Sequence, residues 1–447
     1  MSEDSKDSKA SSEKTRSRAV PTGRTGRALR VAGLAGRVAG SMLAEGTRQW
    51  RAGKRPRKRD LLLTPGNARR VADQLSEMRG AAMKLGQILS MDNGDFLPRE
   101  LADILARLRS EATAMPEKQL EAALRRAYGK QWRREFAEFD PNPIAAASIG
   151  QVHRAVSHDG EELALKIQYP GIADSIDSDI DNIAYVLRVA NVLPAHVDVE
   201  PLLDDAKRQL KDEADYLLEA EFLDDFQRIL GDDERFVLPQ LHRELTRENV
   251  LAMSYESGGP MESLARKPQA ERDRVMSALV GLMVTELFDL AMVQTDPNFA
   301  NYQYRYGTGE IVLLDFGATR RFEEGFVDSY RELAGAAIAG DTDAMAEAAE
   351  KVGYAVGDED GEYRALLLEL LLLVLEPLRH EGPYDFGASD MPERLATLAR
   401  EAAGYADFWH APPTDVVYFH RKVGGMFLLA NRMDARVDAN ALMVERL

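Results

Sequence analysis

The sequence predicts an α+β protein of two lobes, a small early sheet followed by a largely helical remainder. Three observations lead there. Residues 144–167 carry strand and turn signals, 172–230 read as helix, and the chain reads as helix again beyond the short apolar strand Ile311–Leu314. The 447 residues suffice for two or three packed units with cores of their own. No internal repeat is evident.

The first stretch stands apart by charge. Residues 1–60 hold 16 Lys/Arg against 6 Asp/Glu, a net +10, while the rest holds 41 against 68, a net −27. A basic arm on an acidic body suits an anionic partner, and anionic lipid is favoured over nucleic acid. The alternative is a solvated tail. Residues 1–20 are polar and read as disordered. Gly33, Gly36, Gly40 and Ala44 lie among arginines, a pattern suited to a membrane surface or to close packing on another helix. Arg51–Asp60 reads as a charged linker.

No secretory signal is expected, because the N-terminus lacks an apolar core. The most apolar run, Leu366–Leu375, is interrupted by Glu369 and is too short to span a bilayer, so it reads as a buried helix. The expectation is a cytoplasmic protein, peripheral on the inner membrane face. The absence of cysteine excludes disulfides, thiolate zinc sites and cysteine nucleophiles.

Four segments follow: a basic arm at 1–60, a helical extension at 61–130, a first lobe at 131–256 and a second at 257–447. In the extension, Met83, Ile88 and Met91 give Ala81–Met91 an apolar face, and Pro116 with Glu117 opens a helix. Ser157-His158-Asp159-Gly160 turns a hairpin into Leu163–Ile167. Phe236–Leu241 and Val250–Tyr255 read as strands, and Gln269–Ala291 as a helix.

The chemistry is carried by scattered motifs in a fixed order. Phosphoryl-transfer kinases need a tight phosphate loop, a strand lysine, a glutamate to hold it, a loop bearing Asp and Asn, and a second Asp in Asp-Phe-Gly. Asp315-Phe316-Gly317 follows an apolar strand, and upstream Asp296 and Asn301 have four residues between them. Asn301 and Asp315 would bind Mg²⁺, and Asp296 would face the nucleophile. Read alone, these are ordinary turn residues. Lys166 ends Leu-Ala-Leu-Lys, though a strand lysine is often an edge charge. Ala145, Ala146, Ala147, Ser148, Gly150 and Val152 follow the Gly-x-Gly-x-x-Gly-x-Val template with alanines for its first two glycines. Alone, the alanine run reads as a helix start. Order and spacing together predict a bilobal protein-kinase-like fold that binds ATP and Mg²⁺.

On these residues the chain resembles the UbiB/ADCK (aarF-domain-containing) family of atypical kinases over roughly residues 70–435, most closely its coenzyme Q kinase-like branch. Lys84-Leu-Gly86-Gln87 matches the family's Lys-x-Gly-Gln motif in its added N-terminal helical unit. Ala145–Ser148 matches the Ala-rich loop, and Glu213-Ala-Asp215 matches the Glu-x-Asp motif. Gln294–Asn298 and Leu314–Thr319 match the catalytic and metal loops, and His420–Lys422 before Gly424-Gly425 is similar to a late segment of less certain role.

The resemblance implies that Lys166 contacts ATP phosphates and pairs with Glu219. It also implies that Glu213 and Asp215, on one acidic helix with Glu219, meet Lys84 and Gln87 as regulatory groups over the active site. Met253 and Glu256 are placed at the adenine by their position after a strand. Gln294-Thr295 replaces the usual His-Arg, Asn298 the usual lysine, and no Ala-Pro-Glu segment follows Asp-Phe-Gly. With the alanine loop, this argues against protein kinase activity in trans. The family implies an ATPase or small-molecule kinase supporting ubiquinone or related isoprenoid-lipid metabolism, with a quinone-precursor lipid and biosynthetic enzymes as partners. The alternative is a non-catalytic, nucleotide-gated scaffold. Oligomeric state is left open.

Overall fold

The computed structural model describes Ala81 and residues 115–189, 200–354, 361–402 and 412–447. Ala81 and 115–189 belong to one compact unit, and residues from 200 onward to a second. This division by contact density falls at 197/198, whereas the lobe boundary at 256/257 was drawn by motif order. The basic arm, the Gly33–Ala44 stretch, Lys84 and Gln87 lie outside the described residues.

In the first unit, α1 (Glu117–Tyr128) starts at Pro116, whose carbonyl accepts from the amides of Gln119 and Leu120. Glu117 sits in the first turn and Arg125 and Arg126 in the last, each at the favourable end of the helix dipole. Strands β1 (Glu138–Ala146), β2 (Gly150–Val156) and β3 (Glu162–Gln168) pair antiparallel in that order. Gly160 takes φ 84°, the left-handed conformation the expected Asp-Gly turn requires. The β1–β2 register shifts between Phe139 and Ala145, where Pro141 and Pro143 have no amide hydrogen to offer the ladder. Helix α2 (Ile172–Val189) follows.

The second unit begins with α3 (Glu200–Glu213) and α4 (Tyr216–Leu230). The expected single acidic helix through Glu213, Asp215 and Glu219 is therefore two. Asp215 leaves helical geometry at φ −94°, ψ 90°, and its carboxylate accepts from the amides of Leu217 and Leu218. An aspartate at that position satisfies the orphan donors of a new helix better than it continues an old one.

Short strands follow: β4 (Phe236–Val237), β5 (Val250–Ser254) and β6 (Gly259–Pro260). Helix α5 (Gln269–Phe288) opens with the polar run Gln269–Arg274, and from Val275 onward its apolar residues are mostly buried. It ends three residues short of the expected Ala291, which takes φ 46° and turns the chain into β7 (Met292–Gln294).

Strands β8 (Tyr302–Tyr304), β9 (Ile311–Leu313) and β10 (Thr319–Arg321) complete the region. One ladder runs β4-β9-β8-β6, and β10 pairs with β7 separately.

The remainder is helical as expected: α6 (Glu324–Ala339), α7 (Thr342–Val352), α8 (Gly361–Val374), α9 (Glu376–Arg379), α10 (Met391–Ala402), α11 (Thr414–Arg432) and α12 (Ala439–Val444), with the pair β11 (Tyr384–Asp385) and β12 (Arg436–Val437). The leucine run in α8 is only partly buried: Leu366, Leu371 and Leu373 are covered, while Leu367, Leu368, Leu370 and Leu372 are half-buried. Leu287, Val293, Leu333, Met345 and Phe419 form part of a core joining α5, β7, α6, α7 and α11. Val293 ties that core to the strand from which the Asp296 loop departs.

Candidate functional site

Two ladders hold the loops that carry the acids. On one side, β8 and β9 pair Tyr302 with Leu313, so Asn301 and Leu314 leave the ladder as neighbours, and the Leu314 amide donates to the Asn301 carbonyl at 3.0 Å. On the other, β7 and β10 pair Gln294 with Thr319, and both the amide and the hydroxyl of Thr295 donate to the Ala318 carbonyl at 3.0 and 2.8 Å. The segments 295–301 and 314–318 are thus pinned at both ends, which brings Asp296, Asn301 and Asp315 to one place.

Within the loops, polar side chains fix the backbone. Asp296 Oδ1 accepts from the Asn298 amide at 3.2 Å, and Asn298 Oδ1 from the Ala300 amide at 3.1 Å. These are Asx turns. Asn301 Nδ2 donates to the Asp296 carbonyl at 3.4 Å, which leaves the amide oxygen as its ligand atom. Asp315 Oδ1 accepts from the Gly317 amide at 3.1 Å.

Glu219 comes to the same place from α4. A Cβ on Gly317 would lie 3.0 Å from Glu219 Oε2 and 3.4 Å from Asp315 Oδ1, so a methyl there would press on the Glu219 carboxylate. One face of α4 carries Glu219, Leu223 and Phe226, and the Phe226 ring meets Phe316 at 5.1 Å. The donor set of carboxylate and amide oxygens is hard, and it fits Mg²⁺ rather than a softer metal.

The first unit holds the other motifs. The amide of Ala147 donates to the Gly150 carbonyl at 2.9 Å, so the alanine run forms a strand end and a turn rather than a helix start. Ala145 and Ala146 are exposed, Ala147 and Ser148 half-buried, and Gly150 buried. Val152 stands directly opposite Lys166 across the β2–β3 ladder, so the loop and the lysine share one hairpin. Lys166 is buried, unlike an edge charge. Glu219 lies in the other unit, so its pairing with Lys166 remains a proposal. Met253 is buried in β5. The Glu256 side chain is occupied by Ser254 Oγ at 2.8 Å and by the Arg305 guanidinium, which leaves the segment's backbone for any adenine contact.

Sequence reasoning missed the support behind the loop. Lys422 Nζ lies 3.0 Å from Glu286 Oε2 and donates to Tyr302 Oη at 3.0 Å, all three residues being buried. Glu286 also accepts from the Gln294 amide. Burial works against the Lys422 charge, but the Glu286 carboxylate and the Tyr302 oxygen outweigh it and hold the ammonium's pKa up. The triad therefore grips Gln294, before the Asp296 loop, and Tyr302, after it. Between them Gly425 abuts Pro297, where a Cβ would fall 2.0 Å from that ring. The sequence signals were Lys422, within the His420–Lys422 segment, and Glu286, the lone acid between Val275 and Phe288 in α5.

Comparison with known proteins bears on the family and the fold. Residues 107–349 match the family described as ABC1 atypical kinase-like domain. The mitochondrial atypical kinase COQ8 of Saccharomyces cerevisiae is 34% identical over 430 residues, 96% of this chain and 86% of that protein. The mitochondrial atypical kinase COQ8B of Rattus norvegicus is 35% identical over 433 residues, 96% and 82% of the two. The mitochondrial atypical kinase coq-8 of Caenorhabditis elegans is 35% identical over 435 residues, 95% of this chain but 57% of its own length. Rv3197 of Mycobacterium tuberculosis, solved in complex with erythromycin, shares the fold with a TM-score of 0.58 at 24% identity, over 86% of this chain and 96% of that one. An α+β chain that matches the family over residues 107–349 and these proteins along nearly all its length belongs to the ABC1 atypical kinase-like (UbiB/ADCK) family.

Proposed function

We propose that this chain is a Mg²⁺-dependent ATPase or small-molecule kinase supporting ubiquinone or related isoprenoid-lipid metabolism, working at an anionic membrane surface. The observation that supports the reading is the double pinning of the Asp296–Asn301 and Asp315–Gly317 loops, which holds the backbones that carry Asp296, Asn301 and Asp315 beside one another. Phosphoryl transfer asks a protein mainly for positioning and for charge in a fixed place.

In this reading Asn301 and Asp315 hold Mg²⁺, which neutralises phosphate charge when bound. Asp296 accepts the proton of the attacking hydroxyl or water. Lys166 contacts the phosphates, with Glu219 to orient it. The loop from Ala145 to Gly150 covers them, with Ser148 at its turn and Val152 on the strand beneath. Met253 and Glu256 line the adenine end through their backbone. Glu213, Asp215, Lys84 and Gln87 act as regulatory groups. A quinone-precursor lipid is the acceptor or activator, biosynthetic enzymes are partners, and the location is the cytoplasmic side of a membrane. Among the described residues no helix is long and apolar enough to cross a membrane.

The test is ATP hydrolysis with anionic liposomes and a phenolic quinone-precursor mimic. Asp315→Asn should lower turnover about 10²-fold or more. Unchanged turnover would end the catalytic reading, and nucleotide binding with no turnover under any condition would establish the scaffold in its place.

A further inference from the structure

Arg421, on α11, is 5% exposed. Its Nη1 donates to Gln209 Oε1 at 3.2 Å, while Nε and Nη2 meet no acceptor among the described residues. Gln209, on α3, is 4% exposed, and its Nε2 also meets no acceptor among the described residues. The orphaned atoms here are all donors. Arg421 makes no ion pair with any described residue, in contrast to Arg320 nearby, which pairs with Asp415 at 2.9 Å. The two guanidinium groups stack near the same ring, Arg320 4.2 Å and Arg421 5.5 Å from the centroid of Tyr418.

A buried guanidinium whose own donors reach no carboxylate among the described residues is costly, even with Asp205 close by on the Tyr418 hydroxyl, and proteins seldom leave one so. The edge left open is informative. The Nε–H and one Nη2–H of a guanidinium point the same way and form a side-on fork that fits two oxygens of one oxyanion. Gln209 occupies the other end and turns that fork away from itself. Gly425, one turn beyond Arg421 on α11 and facing as it does, touches Pro297, the residue next to Asp296.

We propose that Arg421 and Gln209 form a receptor for an oxyanion, a phosphate or carboxylate group, beside the Asp296 loop. The group would come from the nucleotide's phosphates or from an anionic head carried by the acceptor. The phosphoryl-transfer reading serves only to suggest those two sources; oxyanion binding at Arg421 stands without turnover.

Thermal melting of the full chain in inorganic phosphate, against chloride at matched ionic strength, tests it. Phosphate should raise the melting temperature of the wild type and leave Arg421→Met unmoved, with Gln209→Ala responding less than wild type. Without phosphate, Arg421→Met should melt at or above the wild type, because it removes an uncompensated buried charge. Sodium benzoate in place of phosphate reports a carboxylate. Titrating phosphate at saturating Mg²⁺-ATP separates the sources: competition assigns the site to the nucleotide, and additive shifts assign it to the acceptor. The Asp315→Asn protein should keep its phosphate response even where nucleotide binding is lost, so the two readings fail separately. Equal responses from wild type and Arg421→Met, no response to either anion, or a lower melting temperature for Arg421→Met in chloride would each overturn the proposal.

Discussion

His153 shows how a single buried polar residue ties the hairpin beside the alanine run together. Its Nδ1–H donates to the Asp140 carbonyl at 2.9 Å, and its Nε2 accepts from Gln151 Nε2, 2.7 Å away. Gln151 Oε1 in turn accepts from the Met115 amide at 2.8 Å. Every donor in this chain has an acceptor only if the imidazole is neutral. Burial holds its pKa below the ordinary 6.5, against the opposing pull of Asp140. The folded state then binds fewer protons than the unfolded one below that value. The contribution is fully present above pH 6.5 and is lost as pH falls through the lowered pKa. Melting temperature should therefore drop more steeply between about pH 7 and pH 5 for the wild type than for His153→Gln. Parallel slopes would show that His153 titrates alike in both states.

Gly317 makes a similar point at the second unit. A methyl there would press on the Glu219 carboxylate at 3.0 Å. Gly317→Ala should impair nucleotide turnover more than fold stability, since the neighbour that must yield is Glu219, the proposed partner of Lys166. Hydrolysis rates beside denaturant unfolding would measure both.

Among the elements, α11 does the most to position the site. Its Lys422 and Gly425 brace the Asp296 loop from behind, through Tyr302, Glu286 and Pro297. Lys422→Met leaves Glu286 buried without its partner and should cost about 3–5 kcal/mol of stability. Lys422→Met combined with Glu286→Leu should regain most of that, because an apolar pair replaces the ionic one. It should not regain turnover, since Gln294 and Tyr302 remain unheld. Urea unfolding and ATP hydrolysis on the same proteins read the split, and recovery of both would reduce the triad to packing.

The elements also show what the sequence could reveal. The strand before Asp-Phe-Gly and the hairpin before Lys166 are local patterns, and the structure has them where expected. The break between α3 and α4 was hidden, because an unbroken acidic helix and a capped one share the same residues until Asp215 chooses its own backbone donors. The α5 end was misplaced by three residues because the left-handed turn at Ala291 has no glycine to announce it. Lys422 was visible as part of a motif, but its partner Tyr302 lies 120 residues away, and no periodicity encodes such a pair.

At the scale of the molecule, the charge asymmetry is the feature with the clearest consequence. A segment of net +10 precedes a body of net −27, so attraction to an anionic bilayer should belong to residues 1–60 and should weaken with salt. Deleting that segment should abolish co-sedimentation with anionic liposomes, and persistent binding would move the contact elsewhere on the protein. The motifs themselves divide between the two compact units. The alanine loop and Lys166 lie in one, and Glu219, Asp296, Asn301 and Asp315 in the other. A shared triphosphate is what would make them one site.

That claim is tested most directly by Mg²⁺-ATP affinity across a double-mutant cycle of Lys166→Ala and Asp315→Asn, measured by calorimetry. If one metal–triphosphate joins the two residues, the losses will fall short of additivity by more than about 0.5 kcal/mol. Strict additivity, or affinity untouched by either change, would contradict it.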